Sequence, residues 1–276
     1  MSRIDDDASG VRTMPPRILT MTTDFGGDGP YVAAMKGVVL ARVPDARIVD
    51  VSHRIGPQNI LEAAFVLACV VEAFPPGTVH LGVVDPGVGT QRRLVAARIA
   101  EQWFVLPDNG FLTYVARDRS VDEVYELDNP AIARTPVSNT FHGRDLLAPA
   151  AAHLLLGQPA SALGPPRHGI VRLPAAEPRK EDSGVVGEVI FRDGFGNLIT
   201  NVPESMLTEA PGDCWTVEIG DHRIDGLTRT YGLHAPGTLV SLVGSSGWLE
   251  VSLVNGDASR FLNCGPGTTV WFRRKG

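Results

Sequence analysis

The chain has 276 residues, the length of one large domain or of two of ordinary size. Hydrophobic residues make up 43% and charged residues 20%, which supplies a sizeable core and excludes wholesale disorder. With 25 Lys+Arg against 31 Asp+Glu the formal charge is -6, which argues against nucleic acid as a partner and leaves room for a local site for a cationic small molecule.

Residues 1–16 carry Asp5, Asp6 and Asp7 without an apolar run, so they read as a disordered leader and not as a signal peptide. From residue 17 to 164 short β-rich runs alternate with helical stretches. Ile18–Thr22, Ile48–Val51, Val79–Val84, Leu94–Ile99, Trp103–Leu106 and Val121–Leu127 are apolar, often β-branched and bounded by turn residues, so each predicts a strand. Between them Tyr31–Arg42, Asn59–Phe74 and Asp145–Leu156 show helical periodicity and many alanines. The alternation predicts an α/β fold class with a layered N-terminal domain, 17–164, built on a largely parallel sheet. Residues 165–183 contain Pro165, Pro166, Pro174 and Pro178 and the charged run Arg179-Lys180-Glu181-Asp182, the composition of an interdomain linker. From 184 to 276, Val185–Phe191, Leu198–Val202, Trp215–Ile219, Thr238–Val243, Leu249–Val254 and Thr269–Phe272 read as strands with almost no helical period among them. They predict a smaller C-terminal all-β barrel of about 90 residues, with Trp215, Trp248 and Trp271 filling its core and Arg273-Arg274-Lys275 as a solvated tail.

Cys69, Cys214 and Cys264 are widely spaced and form no CxxC, so neither a disulfide framework nor a zinc cluster is encoded. No apolar run approaches the roughly 20 residues of a bilayer span, so the expectation is a soluble, cytoplasmic protein with no membrane partner. GxxxxGK[ST], HExxH, HxH and GxSxG are missing, and the dinucleotide fingerprint fails after both Gly27-Asp28-Gly29 and Gly87-Val88-Gly89.

Four polar clusters stand at the ends of predicted elements. Thr22-Thr23-Asp24-Phe25-Gly26-Gly27-Asp28 follows the first strand, where open α/β sheets bind ligands and where the Asp24 carboxylate suits a ribose diol. It is equally a glycine-rich turn with Asp28 capping the next helix. Val84-Asp85-Pro86-Gly87-Val88-Gly89-Thr90-Gln91-Arg92-Arg93 is an ordinary turn by its Asp-Pro-Gly, yet its glycines let Arg92 fold back onto Asp85, and a carboxylate so paired stays ionised. Ser138-Asn139-Thr140-Phe141-His142-Gly143-Arg144-Asp145 is either a helix start with Asp145 near the N-cap or the source of a third polar group, His142, beside that pair. Arg192-Asp193-Gly194-Phe195-Gly196-Asn197 has the form of a hairpin turn. His80, inside an apolar strand, reads as a hydrogen-bonded core residue.

In this order the clusters resemble the S-adenosyl-L-methionine (SAM) hydroxide adenosyltransferases, or SAM hydrolases, relatives of the fluorinating and chlorinating SAM enzymes. The carriers are TTDFGG with Tyr31–Gly37, VVDPGVGTQRR, PDNG at Pro107–Gly110, NTFHGRD, DGFGNLITN and GSSGWLEV, spread from about Ile18 to Ala258. The resemblance implies a homotrimer, with substrate held between the N-domain of one subunit and the C-domain of its neighbour. It also implies a water-activating set that falls on Asp85, Arg92 and His142. For substrate it implies Asp24 at the ribose diol, Asp193 at the methionine ammonium, Asn197 and Tyr231 at adenine, Ser245 and Ser246 beside the methionine carboxylate, and a backbone contact at Asn255. In halogenating relatives a tyrosine replaces Asp85 and an arginine stands at Ser246, and the fluorinating members carry an extra loop for which this chain has no room.

The implied reaction is hydrolysis of SAM to adenosine and L-methionine by in-line attack of activated water on C5′. SAM is the substrate; no cofactor and no metal is expected, because the sulfonium leaves as neutral methionine. The alternatives are a SAM-dependent halogenase, against which Asp85 argues, and a SAM- or adenosine-binding sensor without turnover.

Overall fold

The computed structural model describes residues 17–174, 177–207 and 214–275, so the expected leader lies outside the described residues. Two compact units emerge. The first takes in the chain up to Gln58, then Glu72–Asp108 and Asp118–Ile170. It contains β1 (Ile18–Thr23), α1 (Tyr31–Arg42), β2 (Arg47–Ser52), β3 (Val79–Val83), β4 (Leu94–Ile99), β5 (Gln102–Pro107), β6 (Val121–Glu126) and a helix over Ala148–Leu155. The sheet order is β2-β1-β3-β5-β4-β6. The pairings β1–β2, β1–β3 and β3–β5 are parallel, whereas β4 runs antiparallel to both β5 and β6. Five strands therefore share one direction, as the expected largely parallel sheet requires, and β4 alone is reversed, which makes the sheet mixed. The reversal comes from a tight turn at Ala100 and Glu101, both with positive φ, which joins β4 to β5 as a hairpin.

The central strands are the apolar ones. Leu19, Met21, Leu81 and Val83 are buried with Met35 and Val39 of α1 and with Ala148, Ala151 and Ala152 of the last helix. Each large side chain removed from water in this way contributes about 1.5–3 kcal/mol. His80 is the hydrogen-bonded core residue expected. Its Nδ1 pairs with Thr20 Oγ1 at 2.7 Å and its Nε2 with Gln102 Oε1 at 2.8 Å, and burial pushes its pKa down to about 4.

The second unit comprises Asn59–Val71, Asn109–Arg117 and Val171–Gly276. Its one long helix, α2 (Ile60–Ala68), starts at Asn59, whose Oδ1 accepts from Glu62 N at 3.1 Å. Phe65 and Ala64 of this helix cluster with Tyr114, Ile190, Ile199 and Trp248, which is why a segment early in the chain packs with the β-rich part. Numbering the Ala148–Leu155 helix α3, the unit continues with β7 (Arg179–Glu181), β8 (Gly184–Arg192), β9 (Leu198–Pro203), β10 (Trp215–Ile219), β11 (His222–Asp225), β12 (Leu239–Val243), β13 (Trp248–Leu253), α4 (Ala258–Leu262) and β14 (Thr269–Arg274). The antiparallel order is β11-β10-β14-β8-β9-β13-β12, with β7 added to β8. Thr228 N donates to Ser241 O at 2.8 Å, so the chain leaving β11 meets β12 and nearly closes the sheet into a barrel.

Three expectations change here. Residues 165–183 are not structureless: Arg179–Glu181 form β7 by pairing with β8, and Leu173 N donates to Thr113 Oγ1 at 3.0 Å. Trp215 and Trp248 are buried, but Trp271 is half-buried and stacks under the Arg273 guanidinium at 4.3 Å. Arg273 and Arg274 belong to β14 and not to a free tail, and Arg273 pairs with Glu218. Among the described residues no helix is long and apolar enough to cross a membrane.

Candidate active site

In the first unit β1 and β3 lie side by side in parallel, with Thr23 opposite Val83. Their carboxyl ends therefore deliver Asp24 and Asp85 to the same edge of the sheet, and Asp24 N donates to Val83 O. Beyond Asp85 the chain makes two successive turns, Val88 N to Asp85 O and Thr90 N to Gly87 O, at 3.2 and 3.1 Å. Gly89, at φ +79, lies against the loop that precedes His142; a β-carbon there would sit 2.4 Å from Asn139 O. Glycine is the residue that allows both the left-handed conformation and this approach.

The double turn brings Arg92 back onto Asp85. Arg92 Nε donates to Oδ1 and Oδ2 at 2.9 and 3.0 Å, Nη2 also bonds Oδ2, and the same Nη2 donates to His142 Nδ1 at 3.0 Å. A guanidinium has no acceptor, so His142 Nδ1 must carry a lone pair and the imidazole proton sits on Nε2. Burial, and then the Arg92 charge, hold the His142 pKa below the ordinary histidine value, with Asp85 and Asp145 opposing. The site thus presents a carboxylate, a guanidinium and a neutral imidazole offering an N–H.

His142 is placed by its neighbour. Gly143–Leu147 is a short π-helical turn that runs straight into α3, and Asp145 within it is fully buried. Asp145 lies in the first turn of this helix start, near the N-cap His142, as one reading of its position had it. It accepts from Arg144 Nε (2.7 Å), Arg144 Nη2, Arg134 Nη1 and Ser138 N (each 2.9 Å), which ties down the whole 134–144 loop. Those donors, Arg144 first, hold its carboxyl below the usual range.

Asp24 Oδ2 accepts from Gln58 N at 2.9 Å, and Gln58 holds a positive φ of 62° to make that bond. Asp24 has no hydrogen bond to Asp85, Arg92 or His142. Asp28 caps nothing: the residue before α1 is Pro30, without a side-chain cap.

The remaining expected residues lie in the second unit. A groove of about 830 Å³ is lined by Asp193, Asn197, Tyr231, Ser245 and Asn255, with apolar walls from Leu242, Leu253 and Val254. Asp193 and Asn197 stand in the β8–β9 turn, as the hairpin reading had it, and Asn197 Nδ2 donates to Asp193 Oδ2 at 2.9 Å. Ser246 is exposed on the β12–β13 turn, does not line the groove, and is hydrogen-bonded with Cys69. The groove residues not expected as site residues include Phe195, Arg229 and Glu250. For Glu250 the pattern gave no signal: it alternates with the core residues Leu249 and Val251 as a solvent-facing residue does, yet it is buried. A smaller apolar cavity of about 250 Å³, walled by Leu127, Ile132, Leu146 and Leu163, holds none of the expected residues. Among the described residues no group of three or more His, Cys, Asp or Glu is gathered as for a metal.

Comparison with known proteins bears on what these groups do. The model of the SAM hydroxide adenosyltransferase N-terminal domain matches residues 19–164, and that of the C-terminal domain matches 187–271. The chain is 40% identical over 257 residues to the (R)-S-adenosyl-L-methionine hydrolase of Thermus thermophilus, covering 90% of this chain and 96% of that one. It is 31% identical over 220 residues to the fluorinase of Actinoplanes sp., covering 70% and 74%. The crystal structure of an uncharacterized conserved protein from Thermotoga maritima superposes with a TM-score of 0.86 at 36% identity, over 93% of this chain and all of that one.

Proposed function

The chain belongs to the SAM hydroxide adenosyltransferase family, and from that premise we infer that it is an enzyme hydrolysing S-adenosyl-L-methionine to adenosine and L-methionine. The observation that carries the mechanism is the hydrogen-bonded chain Asp85–Arg92–His142. Water is a poor nucleophile at neutral pH, with a pKa near 15.7. Arg92 and the Nε2–H of His142 hold and polarise one water, and Asp85 accepts its proton. The oxygen attacks C5′ in line, the C5′–S bond breaks, and its electron pair returns to sulfur. Methionine departs as a neutral thioether, so neither a general acid nor a Lewis acid has a task at the leaving group, and the reaction is metal-independent. Fixing water in line replaces an encounter, for which effective molarities reach about 10⁵ M or more.

In this reading Asp24 binds the ribose diol, while Asp193, Asn197, Tyr231, Ser245, Ser246 and Asn255 take the adenine and methionine ends. The chain acts as a cytoplasmic homotrimer whose active sites combine the N-terminal domain, 17–164, of one subunit with the C-terminal domain, 184–276, of its neighbour. Relatives named for the (R)-sulfonium support that diastereomer as substrate.

The test is incubation with SAM of each sulfonium configuration in ¹⁸O-water, read by mass spectrometry. Adenosine labelled at its 5′ oxygen, with unlabelled methionine, is expected from the (R) form. Saturable SAM binding without product moves the chain to the sensor reading, and chloride- or fluoride-dependent 5′-halo-adenosine moves it to the halogenases.

A further inference from the structure

The groove contains a buried carboxylate to which the reaction assigns no task. Glu250, in the middle of β13, is only 6% exposed, yet it lines the groove wall. Its Oε1 accepts from the Tyr231 hydroxyl and from Ser252 Oγ, the latter at 3.0 Å. Its Oε2 lies over Gly244, where a β-carbon would come within 2.6 Å of it, and accepts no hydrogen bond from the described residues. Arg229, on the same groove, makes no ion pair with it among those residues. Asp193 differs: Phe195 N, Asn197 N and Asn197 Nδ2 each donate to it at 2.9 Å. That oxygen opens onto the groove from a carboxylate otherwise buried, and so faces the donor that a ligand in the groove brings.

We propose that Glu250 reads the 6-amino group of the substrate's purine, with Oε2 accepting one amino N–H while Oε1, through the Tyr231 hydroxyl, fixes the ring beside the base. The inference rests on the hydrolase reading, which supplies the adenosyl group. The groove is large enough for a nucleoside and joins apolar and aromatic walls to a few polar atoms. A carboxylate only accepts, so it pairs with a 6-amino purine and faces the lone pairs of a 6-oxo purine. Sites built around one such hydrogen bond reject the analogue lacking it, because the buried group is then left unpaired.

Glu250→Gln keeps the shape and reverses the polarity. Its amide oxygen retains the two hydroxyl donors, which turns the amide nitrogen, now a donor, toward the base. The experiment is calorimetric titration of wild type and Glu250→Gln with adenosine, inosine and purine riboside, alongside SAM turnover. Wild type is expected to bind adenosine at least about tenfold more tightly than the other two. In Glu250→Gln, inosine is expected to bind as tightly as adenosine or more tightly. Wild-type constants within about threefold of one another, or an unchanged adenosine-to-inosine ratio in the variant, overturn the assignment. If the variant does not fold, the wild-type series with purine riboside decides alone. SAM turnover together with indifferent purine binding removes only the role of Glu250; absence of both turnover and adenosine binding removes the hydrolase reading as well.

Discussion

Arg92 donates to both Asp85 and His142, and its lack of any acceptor fixes the tautomer of the imidazole. A protonated His142 would turn a second N–H toward the guanidinium and break the chain. Because burial and Arg92 lower the His142 pKa, the neutral form persists below the ordinary value of 6.5. The unfolded chain takes up this proton first as pH falls, so the His142 contribution to stability is present above 6.5 and is lost below it, down through the lowered native value. The acid limb of kcat/KM, which reports the free enzyme, is accordingly expected below pH 6.5. A limb at or above that value contradicts the assigned tautomer. The Asp85–Arg92 pair was legible in the sequence because polar residues follow an apolar strand and glycines permit the return of the chain, whereas His142 beside it was one of two open readings and joined the set through the family resemblance. Glu250 was not legible, since a lone acid in an alternating strand has the pattern of a solvent-facing one, and only the fold shows that side to be a groove.

The loop from Asp85 to Arg92 depends on its contact with the loop before His142, and Gly89 is where they touch. Gly89→Ala would set a β-carbon against a backbone carbonyl in a left-handed conformation, which is expected to cost about 2 kcal/mol or more. Urea unfolding measures this, and a change under about 0.5 kcal/mol would show that the loops are not in firm contact. At the same scale, Tyr31–Arg42, Leu94–Ile99 and Trp215–Ile219 have the bounds their periodicity gives, because each buries its own apolar residues. β7, β11 and α4 were invisible to pattern: they are three, four and five residues long, and β7 and β11 are rich in charge. Helix α2 shows a different limit. Its apolar residues announce burial, but not that they pack with Trp248 and Ile190, far along the chain.

For the whole molecule, the proposed catalytic set belongs to one compact unit and the groove to the other. The homotrimer proposed above would complete the active site from two copies, so sedimentation is expected to show a trimer, with specific activity falling on dilution into its dissociation range. A monomer with full turnover contradicts it. The central claim is that Asp85, Arg92 and His142 activate water and do not merely bind substrate. Steady-state kinetics of Asp85→Ala and His142→Ala test it most directly, with circular dichroism confirming the fold. The account predicts that kcat falls by about 10² to 10⁴ while KM for SAM stays within a few-fold. A rise in KM with kcat intact, or an equal loss of turnover and affinity, would contradict it and leave these residues as binding groups.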